Sequence, residues 1–183
     1  IPFEDVNSGE VNIMRTEGTI HKHRYKEHPL TPCIFEWIYI SRIESVIHGI
    51  PVYKARYLMG ELLAERVKRE LLPLSDVKID CIVPVPETSK PCALAISETL
   101  TIPYREAVIK NRYINRTFIM DTNRQRNKNI KRKLNVIRSQ VEGKKILLID
   151  DSIVRGNTMK HIVSLLKKKW GFKDIYYILF SDD

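Results

Sequence analysis

Two adjacent carboxylates, Asp150 and Asp151, directly follow four apolar residues at positions 146–149. An apolar run without polar alternation is typical of a strand that is covered on both faces of a parallel sheet. Open parallel sheets bind their ligands at the carboxyl ends of the strands, which is where this acidic pair falls. Because carboxylates accept hydrogen bonds, the pair is suited to binding the hydroxyl groups of a sugar.

The residues after the two carboxylates could hold a phosphate group. Ser152 and Thr158 supply hydroxyls, Gly156 supplies flexibility, and an apolar helical pattern follows. Backbone N–H groups at a helix N-terminus can bind a phosphate dianion, so the whole stretch suits a sugar phosphate. The plainer alternative is that the acids merely end a strand and that Ser152 or Asn157 caps a helix. A P-loop is excluded, because the chain has no Gly-x-x-x-x-Gly-Lys-Ser/Thr run.

A second polar loop follows another predicted strand. Residues 79–85 have the apolar pattern of a buried strand, and the segment Pro-Val-Pro-Glu-Thr-Ser at 84–89 precedes a predicted helix at 93–100. Since the carboxyl ends of parallel strands share one edge of a sheet, the two loops can face one ligand. Taken alone, Thr88 and Ser89 are equally well explained as a plain helix cap.

The positive charge of the chain is concentrated in one window. Residues 110–145 contain twelve Lys or Arg against two acids, so this window carries +10 in a chain whose total is +9. Such an excess is expected of a loop that binds a polyphosphate or of a surface that binds nucleic acid. No nucleic-acid fold signature accompanies it, so nucleic acid is not expected as a partner. A solvated basic loop is the other alternative, although the interleaved Tyr113 and Phe118 favour a loop that packs on something.

The segment Asp-Asp-Ser-Ile-Val-Arg-Gly-Asn-Thr at 150–158 resembles the phosphoribosyl diphosphate (PRPP) motif of type I phosphoribosyltransferases, in the form found in the amidophosphoribosyltransferase family. The resemblance implies that the two acids engage the ribose hydroxyls and a metal ion, and that the following loop wraps the 5′-phosphate. Asn157 stands where the family usually has Thr, although its amide can still donate a hydrogen bond. The substrate-binding residues implied by this motif are Asp150, Asp151, Ser152, Ile153, Val154, Arg155, Gly156, Asn157 and Thr158.

The segment at 84–89 resembles the diphosphate loop of the same family. This implies that Glu87, Thr88 and Ser89 bind substrate and that Thr88 helps the two aspartates to hold Mg²⁺. Glu87 is a weak catalytic candidate, because an acid beside a diphosphate would repel it unless a metal ion intervened.

The basic segment that starts at Lys110 resembles the family's lid, Lys-Asn-Arg-Tyr-x-x-Arg-Thr-Phe-Ile, which closes over PRPP. The later Arg-Lys-Leu-Asn at 132–135 resembles its closing segment. The resemblance implies that Lys110, Arg112 and Arg116 are the catalytic cations, which neutralise the departing diphosphate.

The fold expected from this pattern is α/β, because predicted strands alternate with helices. The resemblance implies a type I phosphoribosyltransferase fold, with a mainly parallel central sheet flanked by helices and a mobile basic lid loop. The helix at 53–72 should bury an apolar stripe that includes Leu58, Leu62 and Val67. Further strands are predicted at 34–40, 103–109 and 175–180.

The composition indicates an ordinary globular domain with appendages, since 183 residues with 43% hydrophobic content can bury a core. Without a long apolar run or a signal-peptide pattern, a cytoplasmic protein with no membrane partner is expected. Cys33, Cys81 and Cys92 are predicted to be reduced, partly buried thiols. Cys33 aligns with an iron-sulfur ligand of some family members, but the other ligands lie beyond this chain and no cluster is expected.

The chain is expected to divide near residue 32. Residues 1–32 are polar, are predicted to be irregular, and resemble the tail of the family's glutaminase domain. The histidines in this stretch, His21, His23 and His28, lack carboxylate or Cys support and are predicted to be solvated. Residues 33–183 are expected to form the phosphoribosyltransferase domain, with its C-terminal part lying beyond residue 183.

The function implied by the resemblance is displacement of diphosphate from PRPP by ammonia, which gives 5-phosphoribosylamine in purine synthesis. The implied partners are a glutaminase domain that releases ammonia, purine nucleotides as feedback inhibitors, and further copies in a homo-oligomer. Two alternatives remain open: a phosphoribosyltransferase that salvages nucleobases, and a regulator that senses PRPP without catalysis.

Overall fold

The computed structural model describes six stretches of the chain, at residues 6–26, 29–74, 76–111, 134–153, 156–169 and 174–180. The chain divides into two compact units, Ile1–Ile34 and Phe35–Asp183. Within the described residues, no helix is both long and apolar enough to cross a membrane.

The strands and helices of the described residues are numbered in chain order. The strands are β1 (Glu10–Met14), β2 (Ile20–Arg24), β3 (Val46–Ile47), β4 (Ile50–Pro51), β5 (Cys81–Pro84), β6 (Val108–Lys110), β7 (Leu134–Val136), β8 (Ile146–Asp150) and β9 (Ile175–Leu179). The helices are α1 (Val52–Arg66), α2 (Lys90–Leu100), α3 (Arg138–Val141) and α4 (Asn157–Ser164), with π-helical turns at Glu36–Ile40, Val67–Leu71 and Leu165–Lys169.

The first unit contains an antiparallel hairpin, so the prediction that its chain is irregular is wrong. Strands β1 and β2 pair with Glu10 opposite Arg24 and Met14 opposite Ile20. Nearly all of their side chains are exposed, so burial imposes no apolar alternation that a sequence pattern could reveal. His23, in β2, is exposed, as predicted.

The second unit is built on a parallel sheet in the order β5-β8-β9, with β8 in the centre. Side chains alternate between its faces: Leu148 packs in one apolar cluster with Ile162 of α4, and Leu147 packs in another with Ile96 of α2. The prediction of a parallel sheet flanked by helices is therefore confirmed. Every residue of β8 is buried, which explains its unbroken apolar sequence.

The predicted strand at 103–109 is divided in two. Tyr104 forms a parallel bridge with Ile82 of β5. The chain then turns, because the N–H of Ala107 donates to the carbonyl of Arg105 at 2.9 Å, and continues as β6. Strand β6 pairs antiparallel with β7, away from the main sheet.

Helix α1 confirms the predicted helix, but its predicted buried face is partly wrong. Leu62 is 74% exposed and Leu58 is also exposed, whereas Gly60 is buried. A Cβ built on Gly60 would lie 2.8 Å from Cβ of Ala95, so a small residue is needed where α2 approaches. Hydrophobic patterning detects large apolar side chains and does not recognise this contact between small residues.

The predicted strand at 34–40 is instead a π-helical turn, Glu36–Ile40. Trp37 and Ile38 are buried, while Tyr39 and Ile40 are exposed. A short apolar and aromatic run does not distinguish a strand from a buried helical turn, which accounts for the error.

The prediction of buried thiols is correct for Cys81 and Cys92 and wrong for Cys33, which is exposed. Burial raises the pKa of the Cys81 thiol, and it raises that of Cys92 to about 12. These two cysteines lie in β5 and α2, where their side chains contribute to the core.

Candidate functional site

The acidic pair lies at the carboxyl end of the central strand β8. Asp150 and Asp151 are only 8% and 7% exposed. The backbone N–H of Asp151 donates to Oδ1 of Asp150 at 2.9 Å. The other oxygen of Asp150, Oδ2, accepts a hydrogen bond from the hydroxyl of Tyr177 in β9 at 2.5 Å. Both oxygens of this carboxylate therefore have partners before any ligand binds.

The structure brings the two predicted loops together at Asp151. The hydroxyl of Thr88 donates to Oδ2 of Asp151, although the two residues are 63 positions apart. The hydroxyl of Ser152 donates to Oδ1 at 2.7 Å. The contact follows from the parallel pairing of β5 with β8, because the loops after both strands start at the same edge of the sheet.

The environment of Asp150 is unfavourable for negative charge. Burial raises the pKa of its carboxyl to about 6, and the neighbouring charge of Asp151 acts in the same direction. The hydrogen bond from Tyr177 stabilises the ionised form and opposes this shift. Burial and the donation to Asp150 also raise the pKa of the Tyr177 phenol. A cation or a hydrogen-bond donor placed beside this pair would be stabilised by it.

In the loop at 84–89, Thr88 is half-buried and Ser89 is buried. Ser89 is fully buried, and its hydroxyl donates to the carbonyl of Val85. Glu87 is exposed, and the peptide bond that joins it to Pro86 is cis. Its carboxylate lies 3.2 Å from Nζ of Lys90, which also lies 3.4 Å from the carboxylate of Glu106.

The loop that follows Asp151 leads into helix α4. Ile153 is exposed, and Gly156 has a φ of +65° directly before the helix, a conformation that glycine adopts without steric cost. Thr158 is half-buried in the first turn. Of the other residues predicted in this loop, Val154, Arg155 and the side chain of Asn157 lie outside the described part of the structure.

The predicted lid is described only at its start. Lys110 is an exposed residue at the end of β6. Arg112, Arg116 and the other lid residues up to 133 lie outside the described residues. The pairing of Lys110 with Leu134 places the two ends of this segment side by side.

A cavity of about 660 Å³ lies next to the loop at 84–89. Arg56, which is only 2% exposed, lines it together with Thr88. Its Nε donates to the carbonyl of Trp37 at 2.7 Å and its Nη2 to that of Ser41 at 3.0 Å. Burial lowers the pKa of this guanidinium, while the charge of Asp151 acts in the opposite direction. Arg56 is therefore a fixed cation near the acidic pair.

Sequence patterns did not identify Arg56 or Tyr177 as site residues. Arg56 lies on the same buried helical face as Val52 and Gly60, four positions away on either side. The sequence pattern predicted a different buried face for α1, so it did not show that Arg56 is a buried charge that needs partners. Tyr177 carries no signal in the sequence, since aromatic residues are ordinary in strands.

The donor set of the acidic pair suits a hard divalent cation. Two carboxylates and the hydroxyl of Thr88 supply oxygen ligands, and Mg²⁺ is usually bound through one or two carboxylates while it keeps several waters. No cluster of three or more His, Cys, Asp or Glu side chains suitable for a metal occurs among the described residues. The set therefore fits Mg²⁺ better than a metal that needs a full protein cage.

These features define an open α/β protein in which the acidic pair and Thr88 meet at the carboxyl edge of a parallel sheet. Residues 58–175 match the family model described as the phosphoribosyl transferase domain. The chain belongs to that family.

Curated relatives carry the name amidophosphoribosyltransferase. The enzyme of Pasteurella multocida is 45% identical over 174 residues, which are 94% of this chain and 34% of the relative. The Escherichia coli enzyme is 42% identical over 95% of this chain and 34% of its own length. The chain thus spans about a third of the length of these relatives.

Two solved structures share the fold. One, described as the allosteric regulatory enzyme of purine biosynthesis, has a TM-score of 0.74 and 36% identity over 98% of this chain and 37% of its own. The other is the glutamine PRPP amidotransferase from B. subtilis complexed with ADP and GMP, with a TM-score of 0.72 and 36% identity over 96% of this chain and 37% of its own. The prediction of a type I phosphoribosyltransferase fold is confirmed.

Proposed function

We propose that this chain forms the phosphoribosyltransferase part of an amidophosphoribosyltransferase. The reaction is displacement of diphosphate from PRPP by ammonia, which gives 5-phosphoribosylamine for purine synthesis. The observation that carries the proposal is the hydrogen bond between Thr88 and Asp151, which joins the two loops suited to the two ends of PRPP. The names of the relatives support this activity over nucleobase salvage.

The acidic pair binds the ribose in this proposal. Each oxygen of Asp150 already accepts one hydrogen bond and can accept a second from a ribose hydroxyl, and the carboxylate of Asp151 lies beside it, held by Thr88 and Ser152. The loop that continues through Ser152 to Thr158 holds the 5′-phosphate with backbone N–H groups at the start of α4. The residues proposed for this loop are Ser152, Ile153, Val154, Arg155, Gly156, Asn157 and Thr158.

The loop at 84–89 binds the diphosphate, with Glu87 and Thr88 as its proposed contacts and with the buried Ser89, which bonds to Val85, supporting the loop from below. The chain's own ligands for Mg²⁺ are Thr88, Asp150 and Asp151. When bound, Mg²⁺ supplies positive charge that offsets the charge of the diphosphate. Lys90 pairs with both Glu87 and Glu106, so it offsets part of the negative charge next to the diphosphate.

Catalysis depends on electrostatic placement, since positive charge develops on the ribose ring while negative charge develops on the leaving diphosphate. The carboxylates of Asp150 and Asp151 face the first change. Lys110, Arg112 and Arg116 neutralise the second, at the start of a lid that excludes competing water when it closes.

The remaining partners belong to the whole protein. We propose that a glutaminase domain releases the ammonia, that purine nucleotides inhibit the enzyme, and that the protein is a homo-oligomer. The complex of the B. subtilis enzyme with ADP and GMP supports the inhibition by nucleotides. Residues 33–183 are the proposed phosphoribosyltransferase region.

The experiment compares Asp151→Asn with Asp174→Asn in the purified protein. Asp174 is a matched control, because it pairs with Lys145 at 2.8 Å at the opposite end of the sheet. Isothermal titration with PRPP and Mg²⁺ should show binding to the wild type and to Asp174→Asn, and a loss of about 100-fold or more for Asp151→Asn, since a carboxylate with several partners is removed. Ammonia, and not free nucleobases, should be the acceptor. Retained ammonia-dependent turnover by Asp151→Asn would contradict the proposal.

A further inference from the structure

The hydroxyl of Tyr177 reaches the acidic pair from a third strand. Tyr177 lies in β9, opposite Leu148 of β8, two residues before the level of Asp150. Its hydroxyl donates to Oδ2 of Asp150 at 2.5 Å. The proposed PRPP site, as described above, draws its residues from the loops after β5 and β8, and nothing in that reaction requires a tyrosine on β9.

Tyr177 is well placed to fix the orientation of the Asp150 carboxylate. The ring is half-buried and packs against the apolar cluster that contains Leu148 and Ile162. A tyrosine has two rotatable side-chain bonds, so a packed ring holds its hydroxyl in a nearly fixed place. The opposite oxygen of Asp150 is held by the backbone N–H of Asp151 at 2.9 Å. The carboxylate is thus held at both oxygens by groups on two adjacent strands.

We propose that Tyr177 is a positioning residue for PRPP binding, which orients Asp150 so that its free lone pairs face the ribose hydroxyls. This inference rests on the proposed function, because it assumes that Asp150 contacts the ribose. It extends the site from two strands to three. Thr88 and Ser152 likewise donate hydrogen bonds to the two oxygens of Asp151, so both carboxylates of the pair are held by hydrogen bonds within the protein.

The adjacent residue, Tyr176, provides a control that separates a positioning role of Tyr177 from a purely structural one. Tyr176 points to the other face of the sheet, where it packs with the second apolar cluster. Its hydroxyl lies 3.5 Å from the carbonyl of Asp76, a contact that does not involve the acidic pair. Tyr176→Phe therefore removes a phenolic hydroxyl from the same strand without touching Asp150.

The experiment measures the affinity for PRPP in the presence of Mg²⁺, by isothermal titration, for the wild type, Tyr177→Phe and Tyr176→Phe. Tyr177→Phe should weaken binding about ten-fold, because the carboxylate of Asp150 must then be ordered when PRPP binds. Tyr176→Phe should bind as the wild type does. In ammonia-dependent turnover, Tyr177→Phe should raise KM by more than it lowers kcat, because the contacts of Asp150 with the ribose hydroxyls form already in the ground state.

The outcomes separate this inference from the proposed function. Equal affinity of Tyr177→Phe and the wild type would overturn the inference, while Asp151→Asn would still report on the function. An equal loss in Tyr176→Phe would also overturn it, because it would show a general effect of the strand. No binding of PRPP by the wild type would overturn both. If Tyr177→Phe does not fold, Tyr177→Met removes the same hydroxyl, and the same ten-fold loss is expected.

Discussion

Replacing Asp150 with Asn should stabilise the metal-free protein while it abolishes the binding of PRPP. The carboxyl of Asp150 is buried beside Asp151, and its pKa in the folded protein is about 6. The ordinary value is 3.8. Asn has nearly the same shape and no charge. Its amide oxygen can accept the N–H of Asp151, and its amide N–H can donate to the hydroxyl oxygen of Tyr177, so both contacts of the side chain are kept with the direction of the second one reversed.

The magnitude follows from the two pKa values. Each pKa unit is worth about 1.4 kcal/mol, so ionising Asp150 costs the folded state about 3 kcal/mol. Below pH 3.8 the group is protonated in both states and this cost is absent. Between pH 3.8 and 6 the unfolded chain binds fewer protons than the folded one, so stability falls as pH rises. Above pH 6 the full cost is present, and Asp150→Asn removes it.

The assay is urea unfolding in EDTA at pH 8 and at pH 4. Asp150→Asn should be more stable than the wild type by up to about 3 kcal/mol at pH 8, and the difference should approach zero near pH 4. Asp174→Asn is the control: it removes a half-exposed ion pair and should change stability by about 1 kcal/mol or less. A gain for Asp150→Asn that is equal at both pH values, or absent at pH 8, would refute the reasoning.

Two further predictions concern the packing of the helices and the thiols. Gly60→Ala should destabilise the protein by about 1–3 kcal/mol in urea unfolding, because its methyl group would collide with the backbone of Cys92 in α2. The control, Leu62→Ala at an exposed position, should change stability by about 0.5 kcal/mol or less. A gain in stability for Gly60→Ala would contradict the close contact of the two helices. In the folded protein a thiol reagent should modify Cys33 and leave Cys81 and Cys92 unmodified until urea is added, and rapid modification of all three thiols would contradict their burial.

The sheet and its two loops were predictable because each depends on a local pattern with one dominant cause. Strand β8 is apolar throughout because both of its faces are covered, and Asp150 marks the point where it ends. The meeting of Thr88 with Asp151 follows from the parallel order alone, even though the contact spans 63 positions. The helix at α1 was predicted for the same reason, since its apolar residues recur at helical spacing.

The sequence predictions that were wrong concern features that depend on contacts with a distant part of the chain. The turn at Glu36–Ile40 has the composition of a strand, but the carbonyls of Trp37 and of Ser41, directly after the turn, accept hydrogen bonds from Arg56, which no local pattern shows. The buried face of α1 was misjudged because Gly60 is defined by the approach of α2. Tyr177 was missed because only the tertiary fold brings its hydroxyl to Asp150.

The central position of β8 in the sheet should make local opening of the backbone next to the acidic pair unfavourable. Its backbone is hydrogen-bonded on both sides, to β5 and β9, whereas within the described part of the chain β6 and β7 pair only with each other. Exchange of its amide protons requires both ladders to break, so its opening free energy should approach that of global unfolding. The acidic pair is attached to the last part of the fold to open, and partly open forms that have lost peripheral elements retain it.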